Sequence, residues 1–470
     1  MSPTPSAVGA PVTGDAAQSS LPAHAAALLA ALAAGVVAQG GFYAGGRLAT
    51  LALTAVALGL AFAAARWSRR DAGPLLFAAG ALIAWVLLRA ALAGGHAPTA
   101  LATAGSIAAL VSAVTVLART TPETREQVVV GLLGIGLLVA VTGWIGVAWH
   151  TGLFAVPVEQ SLWRAASTLT YPNAAAAVLT PIALLALARH ARTPQPTALG
   201  AAVAFTLLVG LGATLSRAAA IAFVAGLIVL VVIAGRRVLT RTAPVVAGAV
   251  LAVGALLPSV PVDNEPRPSL ALGGLLAGLA VVAGATRAGR RTAITVAIGA
   301  GVAAAAALAV LARRPDLTDL VTDRFSAASA GRSGATGAAL DLIAAHPLIG
   351  SGPGIASYAW MDDSGAGYVA RYVHNEYLQT VVDLGAVGGL LLLALCGAIA
   401  HTVRSGLRTA GPPPAAAVGA TAGLVAFAVH SAFDFLWQPA VLPLLAGLLI
   451  GLAGPVHSEE PSYLPTKESA

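Results

Sequence analysis

Lysine occurs once in these 470 residues, at Lys467, cysteine once, at Cys396, and charged residues make up only 10% of the chain. Each shortage excludes something. A soluble domain carries about a quarter charged residues, so a chain with 58% hydrophobic residues and a mean hydropathy of +0.85 is not one. The single cysteine lies inside an apolar run, which excludes disulfides and thiolate metal sites. The runs beginning at Gly388 and Ala225 lack the period-two alternation of a membrane β-barrel. No charged segment precedes an apolar stretch near the start, so no cleavable leader is expected and residues 1–20 read as a disordered tail.

What the sequence has instead is apolar blocks of about 20 residues, each long enough to cross a hydrocarbon core of roughly 30 Å as a helix. Fourteen such blocks are expected, at 23–43, 47–66, 73–93, 98–118, 127–149, 172–189, 197–215, 218–235, 243–261, 269–286, 292–312, 376–400, 415–432 and 439–455. The fold class is therefore all-α, a polytopic transmembrane bundle of about 12–14 spans. Residues 21–312 hold the first set of helices, 313–375 one long loop, 376–455 the last helices, and 456–470 a tail.

The chain is basic, with a formal charge of +7 and a pI near 10.2, but its arginines are scattered between spans and form no nucleic-acid footprint. They alternate along the connections. Arg66, Arg69 and Arg70, Arg119 and Arg125, Arg189 and Arg192, Arg236, Arg237 and Arg241, Arg287, Arg290 and Arg291, and Arg404 and Arg408 fall on every second one. Short cytoplasmic loops collect arginine. This alternation places both termini in the cytoplasm and the 313–375 loop outside. Heavy use of Ala, Gly and Arg against one lysine points to a GC-rich bacterial genome, hence a bacterial plasma membrane.

Arginines on the other side have no orienting reason to be there, and they include Arg47, Arg89, Arg164, Arg217, Arg267, Arg332 and Arg371. Arg217 follows Ser216 between two short apolar blocks, close to bilayer depth, where an ionisable group is costly. A guanidinium offers planar paired donors suited to phosphate oxygens, although an arginine can also snorkel to an interface. Arg164 precedes Tyr171-Pro172-Asn173, where Pro172 fits the first turn of a helix and Asn173 points into an otherwise apolar one. The loop longer than about 15 residues is the expected place for function. It ends in His374, whose imidazole can take or give a proton near neutral pH. His346 and the glycines 350, 352 and 354 read as loop structure. The acid pairs Asp362-Asp363 and Asp263-x-Glu265 read as solvated charges, and too few oxygen ligands cluster for a cation site. No metal and no cofactor are expected.

Five elements in order, YPNAAA at 171–176, SR at 216–217, HPLIGSGPG at 346–354, HNEYLQTVVDLGAVGGLLLL from 374 and HSAFDF at 430–435, resemble the O-antigen ligase and polymerase superfamily over about residues 160 to 450. The resemblance implies a fold like that of other polytopic glycosyltransferases with lipid-linked donors. It implies metal-independent transfer of a glycan from a polyprenyl-pyrophosphate carrier to a hydroxyl of a glycan, lipid or cell-wall acceptor, on the outer membrane face, in cell-surface polysaccharide assembly. Under it Arg217 and Arg164 hold the pyrophosphate and His374 orients or deprotonates the acceptor hydroxyl. Asn375, Tyr171 and Asn173 shape the site, and Arg371 and Arg332 are second candidates for glycan or phosphate contact. Ligase and polymerase share these motifs, so both stay open. A transporter or flippase for lipid-linked sugars is the competing class, but the inverted repeat such folds show is not evident.

Overall fold

In the computed structural model, the described residues are 20–287 and 330–456, save 65–72, 95, 159–160, 196, 362–364 and 409–410, together with 295 and 299. Among the described residues fourteen α-helices run in order: α1 (Ala23–Val37), α2 (Ala44–Ala64), α3 (Pro74–Leu92), α4 (Ala97–Ala118), α5 (Pro122–Ala148), α6 (Pro172–Arg192), α7 (Ala198–Ala213), α8 (Arg217–Ala234), α9 (Arg237–Leu256), α10 (Pro268–Arg287), α11 (Ala330–Ala345), α12 (Glu376–Leu407), α13 (Ala415–Ser431) and α14 (Val441–Ala453). Nine of them are long and apolar enough to cross a membrane, and α1, α7, α13 and α14 are shorter apolar helices. The protein is a multi-pass helical membrane protein. Each expected block within the described residues carries one helix; the block at 292–312 lies outside them.

The ends are chemically marked. Thr121, Thr197 and Ser216 cap α5, α7 and α8 by accepting from the backbone N–H groups of Thr124, Gly200 and Ala219. Proline opens α3, α5 and α6, where a missing N–H costs nothing. Helix α6 is the axis of the bundle: nearly all of Pro172–Ala191 is buried, in a run of Ala, Leu and Val. Small residues let neighbours close on it and on one another, since a Cβ at Gly419 would meet Leu185 and Ala188, one at Gly423 Pro181, and one at Gly226 Ala422.

Two short hairpins lie at one end of the bundle. Strand β1 (Ala155–Val158) pairs antiparallel with β2 (Leu162–Ala165) between α5 and α6, and β3 (Tyr358–Met361) with β4 (Gly367–Ala370) between α11 and α12. The first is pinned to the end of α9 by Trp163 N–H donating to Val260 O (2.7 Å) and by the His150 ring, stacked on Trp163 and bonded to Ser259 O.

Helix α12 is broken. Gly385 has φ +69° and ψ −169° inside it, a conformation that favours glycine. The freed backbone groups are met by the 347–352 turn: Ser351 and Gly352 N–H donate to Val382 and Asp383 carbonyls (2.9 and 3.0 Å), and Ala386 and Val387 N–H donate to Pro347 and Leu348 carbonyls (2.9 and 3.2 Å). Arg89 of α3 donates to the carbonyls of Ile349 (2.6 Å) and Gly350 (2.9 Å), and Trp85 to Leu384 O. A Cβ at Gly350 or Gly385 would run into the facing backbone. The loop therefore serves as the missing turn of the helix, which is how irregular backbone is tolerated among spanning helices.

Candidate functional site

At the end of the bundle carrying the hairpins, residues from two distant segments, 171–173 and 374, converge on one carboxylate. Asp434 sits in the turn between α13 and α14 and is fully buried. Its Oδ1 accepts from His374 Nδ1 (2.9 Å) and from Phe435 N–H (2.8 Å); its Oδ2 accepts from the Tyr171 hydroxyl (2.7 Å) and from the Asn173 amide. Four donors fill the lone-pair directions of a carboxylate. Burial pushes the Asp434 carboxyl up, but the hydrogen bond and charge of His374, with the Tyr171 and Asn173 bonds, bring it below its ordinary value. Asp434 is thus an anion at neutral pH.

The consequence falls on His374. Its Nδ1–H is committed to Asp434, so Nε2 is left as the acceptor of a half-buried ring. A carboxylate that fixes the tautomer and steadies the imidazolium is the arrangement that makes histidine a directed base. The ring is positioned by its own backbone. His374 has φ +56°, and Asn375 at once caps α12, its Oδ1 accepting from Tyr377 and Leu378 N–H (3.1 and 3.0 Å). Glu376 then takes the N–H of Trp437 (2.6 Å), tying the start of α12 to the segment that carries Asp434. Gln39, His150, Ser167, Thr170, Leu215 and His374 are the non-glycine residues with positive φ among the described residues. All lie at this end. Such positions cost free energy and cluster at functional sites.

Arg164 extends the network. It is buried, with Nη2 donating to Asn173 Oδ1 (2.9 Å) and Nε to Thr214 O (2.8 Å). The Asn173 amide can therefore offer only its N–H side to Asp434. Thr214 lies three residues before Arg217, the half-buried first residue of α8, which enters beside this cluster.

A row of aromatic rings leads outward from the carboxylate. Phe435 stacks on Tyr171 (5.1 Å) and on Tyr372 (4.8 Å), with the His374 ring edge-on (4.9 Å). Arg371 is exposed, its guanidinium 5.5 Å from the Tyr372 ring centroid. Below, α3, α4, α12, α13 and α14 line a half-open cavity of about 660 Å³, with Glu376, Gln379, Asp383 and Trp437 near the site and aliphatic residues such as Leu392 and Ile399 further along.

The structure thus brings His374, Tyr171, Asn173 and Arg164 into one bonded network, sets Arg217 and Arg371 at its margins and uses Asn375 as a helix cap. Arg332 lies in the first turn of α11. Asp263 and Glu265 are exposed; Asp362-Asp363 lies outside the described residues. Among the described residues no three His, Cys, Asp or Glu side chains converge as a metal set.

Asp434 is the residue that sequence reading passed over. The HSAFDF element was recognised, but its acid was given no role; an isolated acid between two apolar spans was the available signal.

No curated protein matches the chain. Residues 269–393, from α10 into α12 and including His374, match the model of the O-antigen ligase family, a similarity that supports a glycan-transfer role in polysaccharide assembly.

Proposed function

Taking the O-antigen ligase family as premise, we propose that the protein moves a glycan from a polyprenyl-pyrophosphate carrier to an acceptor hydroxyl at the outer face of a bacterial plasma membrane. The observation that carries this reading is the His374–Asp434 pair beside Arg164 and Arg217. The acceptor oxygen attacks the anomeric carbon of the donor glycan as the bond from that carbon to the pyrophosphate oxygen breaks. The hydroxyl proton passes to His374 Nε2, and the charge developing on the departing pyrophosphate is met by guanidinium groups. Arg217 contacts that charge. Arg164, fixed from below, contributes its field and the orientation of Asn173. The aliphatic walls of the 660 Å³ cavity suit a hydrocarbon chain. Pyrophosphate is a good leaving group, so the scheme calls for no metal.

A polymerase of the same superfamily uses the same donor chemistry and differs only in acceptor. The transporter reading has less support, because the His374–Asp434 network lies at an end of the bundle and not at the midplane.

Purified protein given a polyprenyl-pyrophosphate oligosaccharide and a hydroxylated acceptor is expected to form the glycoside, with EDTA changing nothing. His374→Ala is expected to slow single-turnover transfer by about 10²–10⁴-fold with donor binding held within a few-fold. Movement of the carrier between leaflets without any glycoside would replace this reading with the transporter. Sidedness is tested with cysteines placed singly at Ser333 and Ser405 in a Cys396→Ala background, where an impermeant thiol reagent should label only the former in intact cells.

A further inference from the structure

The turn that fills the break in α12 also presents aliphatic side chains to the outside. Leu348 and Ile349, between His346 and Gly350, are 68% and 47% exposed. Their backbone is fixed against two spans. Leu348 O accepts from Val387 N–H of α12 (3.2 Å), and Ile349 O accepts from Arg89 Nε of α3 (2.6 Å). The two side chains thus stand out from a bridge between α3 and α12, level with Val387.

The exposure pattern of α12 tells what level that is. From Glu376 to Gly385 no residue is exposed, whereas beyond the break Ala386, Leu390, Leu393 and Gly397 are exposed one turn after another. No Asp, Glu, Lys or Arg interrupts the stretch from Ala386 to Val403. On a spanning helix such a stripe faces acyl chains, and it begins at the turn. From Val387 to Arg404 is about 26 Å of helix at 1.5 Å per residue, less than the roughly 30 Å of a hydrocarbon core. With Arg404 at the far boundary, Leu348 lies at or inside the near one, and any tilt of α12 carries it deeper. On α3, Leu88 and Leu92 flank Arg89 and are 48% and 69% exposed, so the apolar surface continues across the bridge.

The backbone of the turn meets the condition for that depth. Irregular backbone is tolerated among hydrocarbon only when its polar groups are satisfied within the protein. Each carbonyl from His346 to Gly350 has a donor: in turn Gly350 N–H (3.0 Å), Ala386 N–H (2.9 Å), Val387 N–H, Arg89 Nε and Arg89 Nη2 (2.9 Å). Arg89 is itself buried. In water the solvent would serve such carbonyls, and no buried cation would be needed for them; against lipid one is.

We propose that the 346–350 turn is a membrane-inserted element, with Leu348 and Ile349 seated among the acyl chains of the leaflet on the Asp434 side. Its partner is the lipid itself. The turn holds the broken end of α12, from which His374 reaches Asp434, at a fixed depth. This inference rests on the membrane fold and not on the proposed transfer reaction.

The test places single nitroxide labels by Leu348→Cys, Ile349→Cys, Leu390→Cys and Asp341→Cys, each in the Cys396→Ala background, in the full-length protein in phospholipid vesicles. All four labelled positions are exposed, so the side chains replaced are not part of the packed core. Collision rates are measured with oxygen, which concentrates in lipid, and with a water-soluble nickel chelate. The labels at 348 and 349 should follow the one at 390, with oxygen collisions several-fold more frequent than nickel collisions, and the label at 341, on α11, should show the reverse. Nickel-dominated collisions at 348 and 349 overturn the proposal, because the turn then stands in water. Rare collisions with both reagents also overturn it, because protein, a second copy or the 292–312 block, then covers the turn.

Discussion

The two ends of the bundle use arginine for different ends. At the one remote from the candidate site, Arg125 gives its guanidinium to the carbonyls of Gly454 (2.9 Å), Leu117 (3.2 Å) and Pro455 (2.8 Å), Arg241 bonds the carbonyls of Ala191 and Thr193, and Arg192 that of Pro413. These close turns where helix C-termini leave carbonyls unpaired. At the site end Arg89 is used in that manner on the 349–350 turn, and Arg47 on the carbonyls of Phe42 and Gln438. Arg164 is built into a side-chain network instead, and Arg371 lies over the Tyr372 ring. The same residue type is a backbone clamp in one place and a charge held ready in another, and its partner tells which.

The comparison breaks most visibly at Asp434. Asp434→Asn keeps the shape but removes the anion and lets His374 take the other tautomer, so turnover should fall by about 10²–10⁴-fold while bare-carrier binding stays within a few-fold. Loss of carrier binding in step with turnover would make Asp434 a folding residue instead. Arg217→Lys comes next: it keeps the charge and loses the planar fork, and donor affinity should drop about tenfold or more. Arg125→Lys, at the clamp end, should leave turnover per folded molecule near wild type and lower stability by about 1–3 kcal/mol, read from thermal unfolding. Equal effects of Arg217→Lys and Arg125→Lys on donor affinity would erase the distinction between the two ends.

A smaller effect sharpens the electrostatic part. The Asp434 carboxyl is held below its ordinary value in the folded protein. Its contribution to stability is then complete above the unfolded-state value, about 3.9, and is lost as pH falls through the lower folded-state value. The unfolding midpoints of wild type and Asp434→Asn should therefore stay apart from neutral pH down to about pH 4 and converge only below it. Convergence already at pH 6 would mean that the carboxylate is not stabilised by its four donors.

The spans were legible because length and hydropathy are local: every expected block in the described residues holds a helix, and Pro172 starts α6 where its chemistry predicts. The glycines at 350, 352 and 354 were readable as turn-formers, but the break at Gly385 was not, since the pairing of the 347–352 turn with a broken helix is made by contacts more than thirty residues apart. His374, Tyr171, Asn173 and Arg164 were visible as polar residues out of place. Their convergence on Asp434 was not, because that carboxylate is 60 residues from His374 and 263 from Tyr171 along the chain.

The central claim, that Asp434 acts through His374 as one proton-accepting unit, is tested most directly by a double-mutant cycle. Single-turnover glycan transfer is measured on wild type, His374→Ala, Asp434→Asn and the double variant, with donor binding measured alongside. Residues that act as a unit are grossly non-additive. The double variant should therefore be no slower than His374→Ala alone, with donor binding within a few-fold in all four. Losses that multiply, so that the double variant falls by the product of the two single effects, would contradict the account and separate the carboxylate from the histidine.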